Sequence, residues 1–229
     1  MTSRAGDPPE RGSLDSQMFP KDVFAPSERD DILYAMAAIC VERGYTETTV
    51  TEVAARAGVS PETFARHFNG IEDCGFAAVN LIVAEIGAVT SAAWSSDSAE
   101  AESVVLAIKA LLELLAARPS FAPLIYVQGR YAMPTSAYAP YRASIEVLAS
   151  MVDRLRAYAP DKDQAPKTAA AGVLGSAGMV MRRAILAGNI ERLPELLPDI
   201  VYGVLVPFLG QEGALRYTGR ARELLNEGG

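Results

Sequence analysis

Apolar residues recur along this chain at intervals of three and four from Ser27 onward, and no stretch alternates with period two for long enough to form a strand. Ile32, Leu33, Met36, Ile39 and Cys40 share one helical face. Asp30 and Asp31 fall in the first turn, where the helix dipole favours carboxylates, and Arg43-Gly44 supplies a basic last turn and a stop. A second, short helix opens on the capping box Thr49-Val50-Thr51-Glu52. It carries Val50, Val53, Ala54 and Ala57 at i, i+3, i+4 and i+7 and ends at Gly58. A third begins at once, with Ser60 as cap, Pro61 at the first helical position and Phe64 and Phe68 on one face, and closes at Gly70. Longer helical runs follow near 72–94, 100–117, 120–132, 137–159, 164–187, 192–210 and 212–225. Ser95-Ser96-Asp97, Arg118-Pro119, Met133-Pro134, Pro160-Asp161 and Gly188-Asn189 separate them.

The pattern predicts an all-α protein: an N-terminal three-helix domain containing a helix-turn-helix, followed by a larger helical domain. Residues 1–26 hold Pro8, Pro9, Pro20 and Pro26 and no sustained apolar period, so a mobile arm is expected there, with the head at 27–71 and the body at 72–229. The chain has 229 residues, half of them hydrophobic but only 7% aromatic, which suits close helix packing better than a sheet.

Composition narrows the chemistry. His67 is the one histidine, and Cys40 and Cys74 are too few and too far apart for a zinc cluster, so no metal site is expected. There is no Gly-rich phosphate loop, and the nearest approach to a nucleophile elbow, residues 175–178, lacks the first glycine in register; no catalytic residue and no cofactor are implied. The N-terminus has no apolar run resembling a signal peptide, and the longest uncharged apolar stretch, between Lys167 and Arg182, is short of the ~20 residues of a membrane span. A soluble cytoplasmic protein with reduced thiols, no membrane partner and no enzymatic activity is expected.

The two short helices meet at Ala57-Gly58-Val59-Ser60. Gly58 can take the left-handed geometry of the corner, Val59 packs between the helices, and Ser60 caps the second helix so that its start projects outward, a shape that fits the DNA major groove. The longer string at 32–68 resembles the DNA-binding head of the TetR family of bacterial transcriptional regulators. The shared features are the corner at 42–45, the helix start Thr48-Thr49-Val50, the segment 54–60 and Thr63-Phe64 followed by Arg66-His67-Phe68. The resemblance extends from about 27 to 83, and more loosely to 187–210. It implies that Pro61, Glu62 and Thr63 face base edges while Thr49, Ser60, Arg66 and His67 meet phosphates. Glu62 is suited to accept from a cytosine amino group, or else is a solvated helix-start carboxylate; His67 has the alternative of packing against the first helix.

Three departures from the family stand out. An aromatic residue and a lysine that the family often uses on the DNA backbone are Ala65 and Ile71 here. Between Pro26 and Cys74, four basic residues (Arg29, Arg43, Arg56, Arg66) face nine acidic ones, a net of minus five within a chain of net charge −7, so counterion release on DNA should be small; Arg4, Arg11 and Lys21 of the arm could restore contacts. Cys40 and Cys74 occupy positions the family usually gives to larger apolar residues; they are either small hydrophobes or a redox pair.

For the body, the resemblance implies a ligand pocket and a homodimer. Gly172 and Ser176, four apart in a small-residue helix, allow close approach, and Leu197, Val201, Val204, Leu205 and Phe208 belong to a broad apolar face, expected at a dimer interface or else closing the monomer core. Pocket candidates are Trp94, Phe121, Tyr126, Gln128, Tyr131, Tyr138, Tyr141 and Met179, with Arg130 and Arg182 as further polar anchors. The expected function is a homodimeric regulator, a repressor that releases a palindromic double-stranded DNA operator when a small apolar or aromatic effector binds the body. The alternatives are a ligand-binding dimer that has lost operator binding, a thiol redox-responsive regulator and, least supported, a helical enzyme.

Overall fold

The computed structural model describes residues 27–94, 99–128, 139–159 and 166–227; the arm expected at 1–26 lies outside them. The described elements are helical, in the order α1 (Glu28–Arg43), α2 (Val50–Ala57), α3 (Pro61–His67), α4 (Ile71–Ala93), α5 (Glu100–Ala117), α6 (Phe121–Pro123), α7 (Ala139–Asp153), α8 (Ala169–Leu186) and α9 (Leu197–Glu227). The fold is all-α, with an N-terminal helix-turn-helix and a larger helical body.

The first three helices form where the caps put them. Ser27 and Asp30 close a capping box on α1, and Thr49 and Glu52 close another on α2. α2 ends on Gly58 in the left-handed region (φ 71°, ψ 24°). There the Val59 amide donates to Ala54 O at 2.9 Å and the Gly58 amide to Ala55 O at 3.2 Å, so the orphan carbonyls of the last turn are satisfied by the corner itself. Ile32, Met36 and Cys40 of α1, Val53 of α2, Phe64 of α3 and Cys74 of α4 are all buried. Burying a side chain such as Phe64 or Ile32 contributes about 1.5–3 kcal/mol, and the tilted Phe64–Phe68 pair, centroids 5.5 Å apart, fixes how α3 sits.

α4 packs on α1 at one side and on α5 and α7 at another, and so belongs to head and body together. Its buried line Cys74, Ala78, Val79, Ile82, Ile86 and Thr90 is continuous. The body is completed by α5 against α9, α7 against α8, and α8 against α9, and one apolar cluster runs through the whole described chain.

Four segments depart from the uniform helices that the sequence pattern predicts. Instead of a helix over 120–132, α6 is a single turn that continues as a π-helical turn, Leu124–Gln128. The 137–159 run is α7 followed by a tighter 3-10 segment, Arg154–Tyr158. α8 starts at Ala169 rather than near 164, after a turn in which Pro166 O accepts the Ala169 amide at 2.9 Å. The segment Ile190–Leu196 is 3-10, with Pro194 inside it. α9 then runs on to Glu227 through the break predicted near 211, which is reduced to one non-helical residue, Gly210 (φ 67°, ψ −179°).

Windows within Ile71–Ala93, Ala169–Leu186 and Ile190–Glu227 are long and apolar enough to cross a bilayer by length and composition alone, contrary to the expectation from uncharged runs. Each of these segments also contributes inward-facing side chains to the common core.

Candidate nucleic-acid interface

α3 is held from behind and open in front. Phe64 and Phe68 are buried, whereas Pro61, Glu62, Ala65 and Arg66 are exposed and Thr63 and His67 are half-buried. Ser60 Oγ accepts the Thr63 amide at 3.1 Å, so the first turn is capped and its outward residues are presented on a fixed frame. The Ser60 hydroxyl, together with a backbone amide at the helix start, holds the Glu62 carboxyl below the usual range, which keeps it ionised and an acceptor only. Arg66 Nη2 donates to Thr63 Oγ1 at 2.8 Å. Pro61, Glu62, Thr63 and Arg66 therefore lie together on one exposed helix.

The other expected phosphate contacts are less open. Thr49 accepts the Glu52 amide at 3.3 Å and donates its hydroxyl to Glu52 Oε2 at 2.8 Å, so both its roles are taken up by the α2 cap. His67 does meet α1, through the Glu28 side chain rather than a backbone carbonyl: Nε2 and Oε2 are 3.0 Å apart. Charge is similarly tied up. Arg43 pairs with Glu52 at 2.7 Å, Arg56 donates to both oxygens of Glu42 at 2.8 and 3.1 Å, and the Arg29 guanidinium lies 5.2 Å from the Phe68 ring centre. The carboxylates paired with Arg43 and Arg56 respond: hydrogen bonding from Arg56 lowers the Glu42 pKa, and the Thr49 hydroxyl, then Arg43, lowers that of Glu52. Of the four basic residues of the head, Arg66 is the one whose hydrogen bond goes to a neutral hydroxyl.

Cys40 and Cys74 are free and fully buried. Burial raises both thiol pKa values, that of Cys74 to about 12, with Cys40 as a second cause. A protonated, inaccessible thiol is a poor nucleophile, so the pair has the character of small core residues rather than of a redox couple.

The body contains a small apolar cavity of about 60 Å³ where α4, α5, α7, α8 and α9 converge. Thr90, Trp94, Val104, Leu111, Val152, Leu174 and Val204 are among its lining residues. Of the pocket candidates, Trp94 lines it, with the Arg154 guanidinium 4.8 Å from the Trp94 ring centre. Phe121 is fully buried against Tyr34, Tyr126 and Tyr141 meet edge to face at 6.3 Å, and Met179 is 56% exposed on the outside of α8. Gln128 closes the π-helical turn; Arg130, Tyr131 and Tyr138 lie outside the described residues. Arg182 has its Nε buried with no hydrogen-bond partner among the described residues. Sequence reasoning does not find the cavity-lining Val104, Ala107, Ile108 and Leu111. They form an i, i+3, i+4, i+7 stripe on α5, a spacing that marks an inward face without revealing that space remains beside it.

The interface residues separate into two groups. Gly172 and Ser176 are exposed. Leu197, Val201, Val204, Leu205 and Phe208 are a correction: each is at most 1% exposed within the single chain, because this face of α9 turns inward onto α5 and α8. The outer face of α8 instead carries Met179, Val180 and Leu186 beside the small residues.

These features define a helix-turn-helix head joined by a shared helix to a helical body with an apolar cavity. Residues 32–79 match the family described as bacterial regulatory proteins, tetR family, so the head is similar to the heads of that family. No curated protein sequence matches the chain. Solved structures share its fold at low identity. The transcriptional regulator FadR from Bacillus subtilis, solved in complex with stearoyl-CoA, is 15% identical with a TM-score of 0.63, over 79% of this chain and 97% of that one. A gamma-butyrolactone receptor, an ArpA-like protein, is 18% identical with a TM-score of 0.68, over 87% and 97%. A TetR-like transcriptional regulator from Rhodococcus sp. RHA1 is 17% identical with a TM-score of 0.64, over 82% and 98%.

Proposed function

We propose that this chain is a homodimeric, cytoplasmic transcriptional repressor without enzymatic activity or a membrane partner. It sets α3 in the major groove of a palindromic operator and releases it when a small apolar effector enters the body. The observation that carries the reading is the exposed edge of α3: Pro61, Glu62, Thr63 and Arg66 stand outward on a helix whose other face is locked by Phe64 and Phe68. Glu62 and Thr63 then read bases, and Arg66 positions the backbone; Ser60, Thr49 and His67 contribute only by giving up the bonds they hold within the head.

The effector site is the cavity beside Trp94. Its lining is almost wholly apolar, and two proteins of the same fold, one solved with stearoyl-CoA and one named as a gamma-butyrolactone receptor, support a small-molecule ligand with apolar parts. A cavity that binds benzene measures ~150 Å³, so about 60 Å³ admits an aromatic effector only after the surrounding helices part. That displacement gives the effector a preference for one conformation, which any release mechanism requires. The dimer forms through the outer face of α8, where Gly172 and Ser176 allow close approach and Met179, Val180 and Leu186 are open to solvent.

Repeated selection from randomised duplexes with the full chain tests the reading. Enrichment of an inverted repeat with half-sites about one helical turn apart is expected. No enrichment at low salt would contradict operator recognition and favour a ligand-binding dimer, in line with the engaged arginines of the head.

A further inference from the structure

At the seam between head and body, four side chains from four elements form one cluster. Tyr34 of α1 donates its hydroxyl to Glu85 Oε1 of α4 at 2.7 Å. The other carboxylate oxygen is 3.9 Å from Arg118 Nη2, just past the end of α5. The Arg118 guanidinium sits over two rings at once, 4.9 Å from the centre of Tyr34 and 5.7 Å from that of Phe121 at the start of α6. Tyr34 and Phe121 are themselves stacked, 6.1 Å apart with 15° between their planes. Phe121 is fully buried and Glu85 is 22% exposed, whereas the Arg118 side chain is 45% exposed, so the guanidinium caps the two rings from the solvent side.

The element behind Phe121 is the irregular one. α6 passes directly into the π-helical turn Leu124–Gln128, a rare geometry that recurs at functional sites. Tyr126, in the middle of that turn, packs edge to face on Tyr141 of α7 and lies beside Gly178 of α8, where an added Cβ would be 3.7 Å from its ring. Contacts therefore run without a gap from α7 and α8, through Tyr126 and the π turn, to Phe121, Arg118, Tyr34 and α1.

We infer that Arg118 is a positioning residue that clamps the head to the body. Bracketed by Tyr34, Glu85 and Phe121, it makes the orientation of α1 depend on the seating of the π turn against α7 and α8. The inference deepens the regulator reading, because it assigns the route by which an event in the body reaches the DNA-binding head. Its test uses neither DNA nor effector, so it stands or fails independently of operator binding.

Amide hydrogen exchange on the full chain provides the test, read peptide by peptide for α1, the π turn and α9. Tyr126→Leu unseats the turn from the body side. In the otherwise native chain it is expected to speed exchange in α1 about fivefold or more, the lower end of ordinary coupling between sites, while α9 is unchanged. In an Arg118→Ala background α1 is already fast, and the same Tyr126→Leu change is expected to add less than half as much, because only the direct packing of α1 on the π turn is left. Arg118→Lys keeps the charge but not the planar stack over two rings, and should restore only part of the transmission. Equal effects of Tyr126→Leu on α1 with and without Arg118 would overturn the clamp, as would no effect of Tyr126→Leu on α1 in the native background. Where Arg118→Ala loosens α9 as well, Arg118→Met, which keeps the aliphatic bulk and removes the planar cation, replaces it in the same cycle with the same two outcomes.

Discussion

Single residues set what the head can read and how it stays folded. Glu62 is exposed and held ionised at the start of α3 by the Ser60 hydroxyl and a backbone amide, so a cytosine amino group meets a carboxylate with lone pairs left to accept. Replacing it with Ala should change which base is preferred in each half-site while leaving affinity for unrelated DNA nearly unchanged, as a competition between selected and scrambled duplexes would reveal. Cys74 contributes differently. Its thiol holds the proton up to about 12 in the folded chain, against an ordinary thiol value of 9.0. The sign follows: the unfolded chain ionises first, so this contribution to stability is complete below pH 9 and is lost as the pH climbs from there towards 12. Denaturant titrations of the wild type and Cys74→Ala should therefore converge over that range. Much at this scale is legible in the sequence. The caps at Thr49 and Ser60, the left-handed corner at Gly58 and the buried pair Phe64 and Phe68 are all local signals. The tethers of Arg43, Arg56 and His67 are not, because each joins residues 9 to 39 positions apart whose meeting depends on how the helices pack.

At the scale of elements, periodicity gives the faces but not what lies against them. The broad apolar stripe of α9 reads equally as a partner-facing or a core-facing surface. Leu197, Val201 and Phe208 prove to be buried within their own chain, where α9 packs on α5 and α8, and Val204 touches the cavity. The outward face belongs to α8, where the small size of Gly172 and Ser176 marks them in the sequence but nothing local marks Leu186. Two substitutions separate the roles. Met179→Glu, on the exposed face, should convert dimer to monomer in sedimentation without lowering helix content. Val204→Glu places an unpaired charge in the core and should instead unfold the body, with a loss of several kcal/mol. Dissociation by Val204→Glu with the fold intact would reverse the assignment. The π turn after α6 escapes the sequence pattern for a related reason. Phe121, Leu124, Ile125 and Tyr126 are all buried, and an almost continuous apolar run carries no period from which an irregular turn could be read.

For the whole molecule, the balance of charge is the unusual feature. A net charge of −7, with the head more acidic than the rest, opposes DNA, and three of the four arginines in the head are already engaged by Glu52, Glu42 or the Phe68 ring. The proposed complex therefore has weak long-range attraction and relies on Arg66 for its phosphate contact. The fold and the exposed edge of α3 are legible from the sequence at this scale, whereas the engagement of the counter-charges emerges only from the packing of the head helices. Binding of the purified full chain to duplex DNA from beside its own gene, titrated across salt for the wild type and Arg66→Ala in parallel, tests the central role given to α3. The expected result is saturable binding that resists nonspecific competitor, with Arg66→Ala weaker on every sequence and its log–log salt slope shallower by about 1 for each phosphate that the arginine neutralises. Identical affinities and slopes for the two proteins, or no preference over competitor at low salt, would contradict the placement of this helix in the groove.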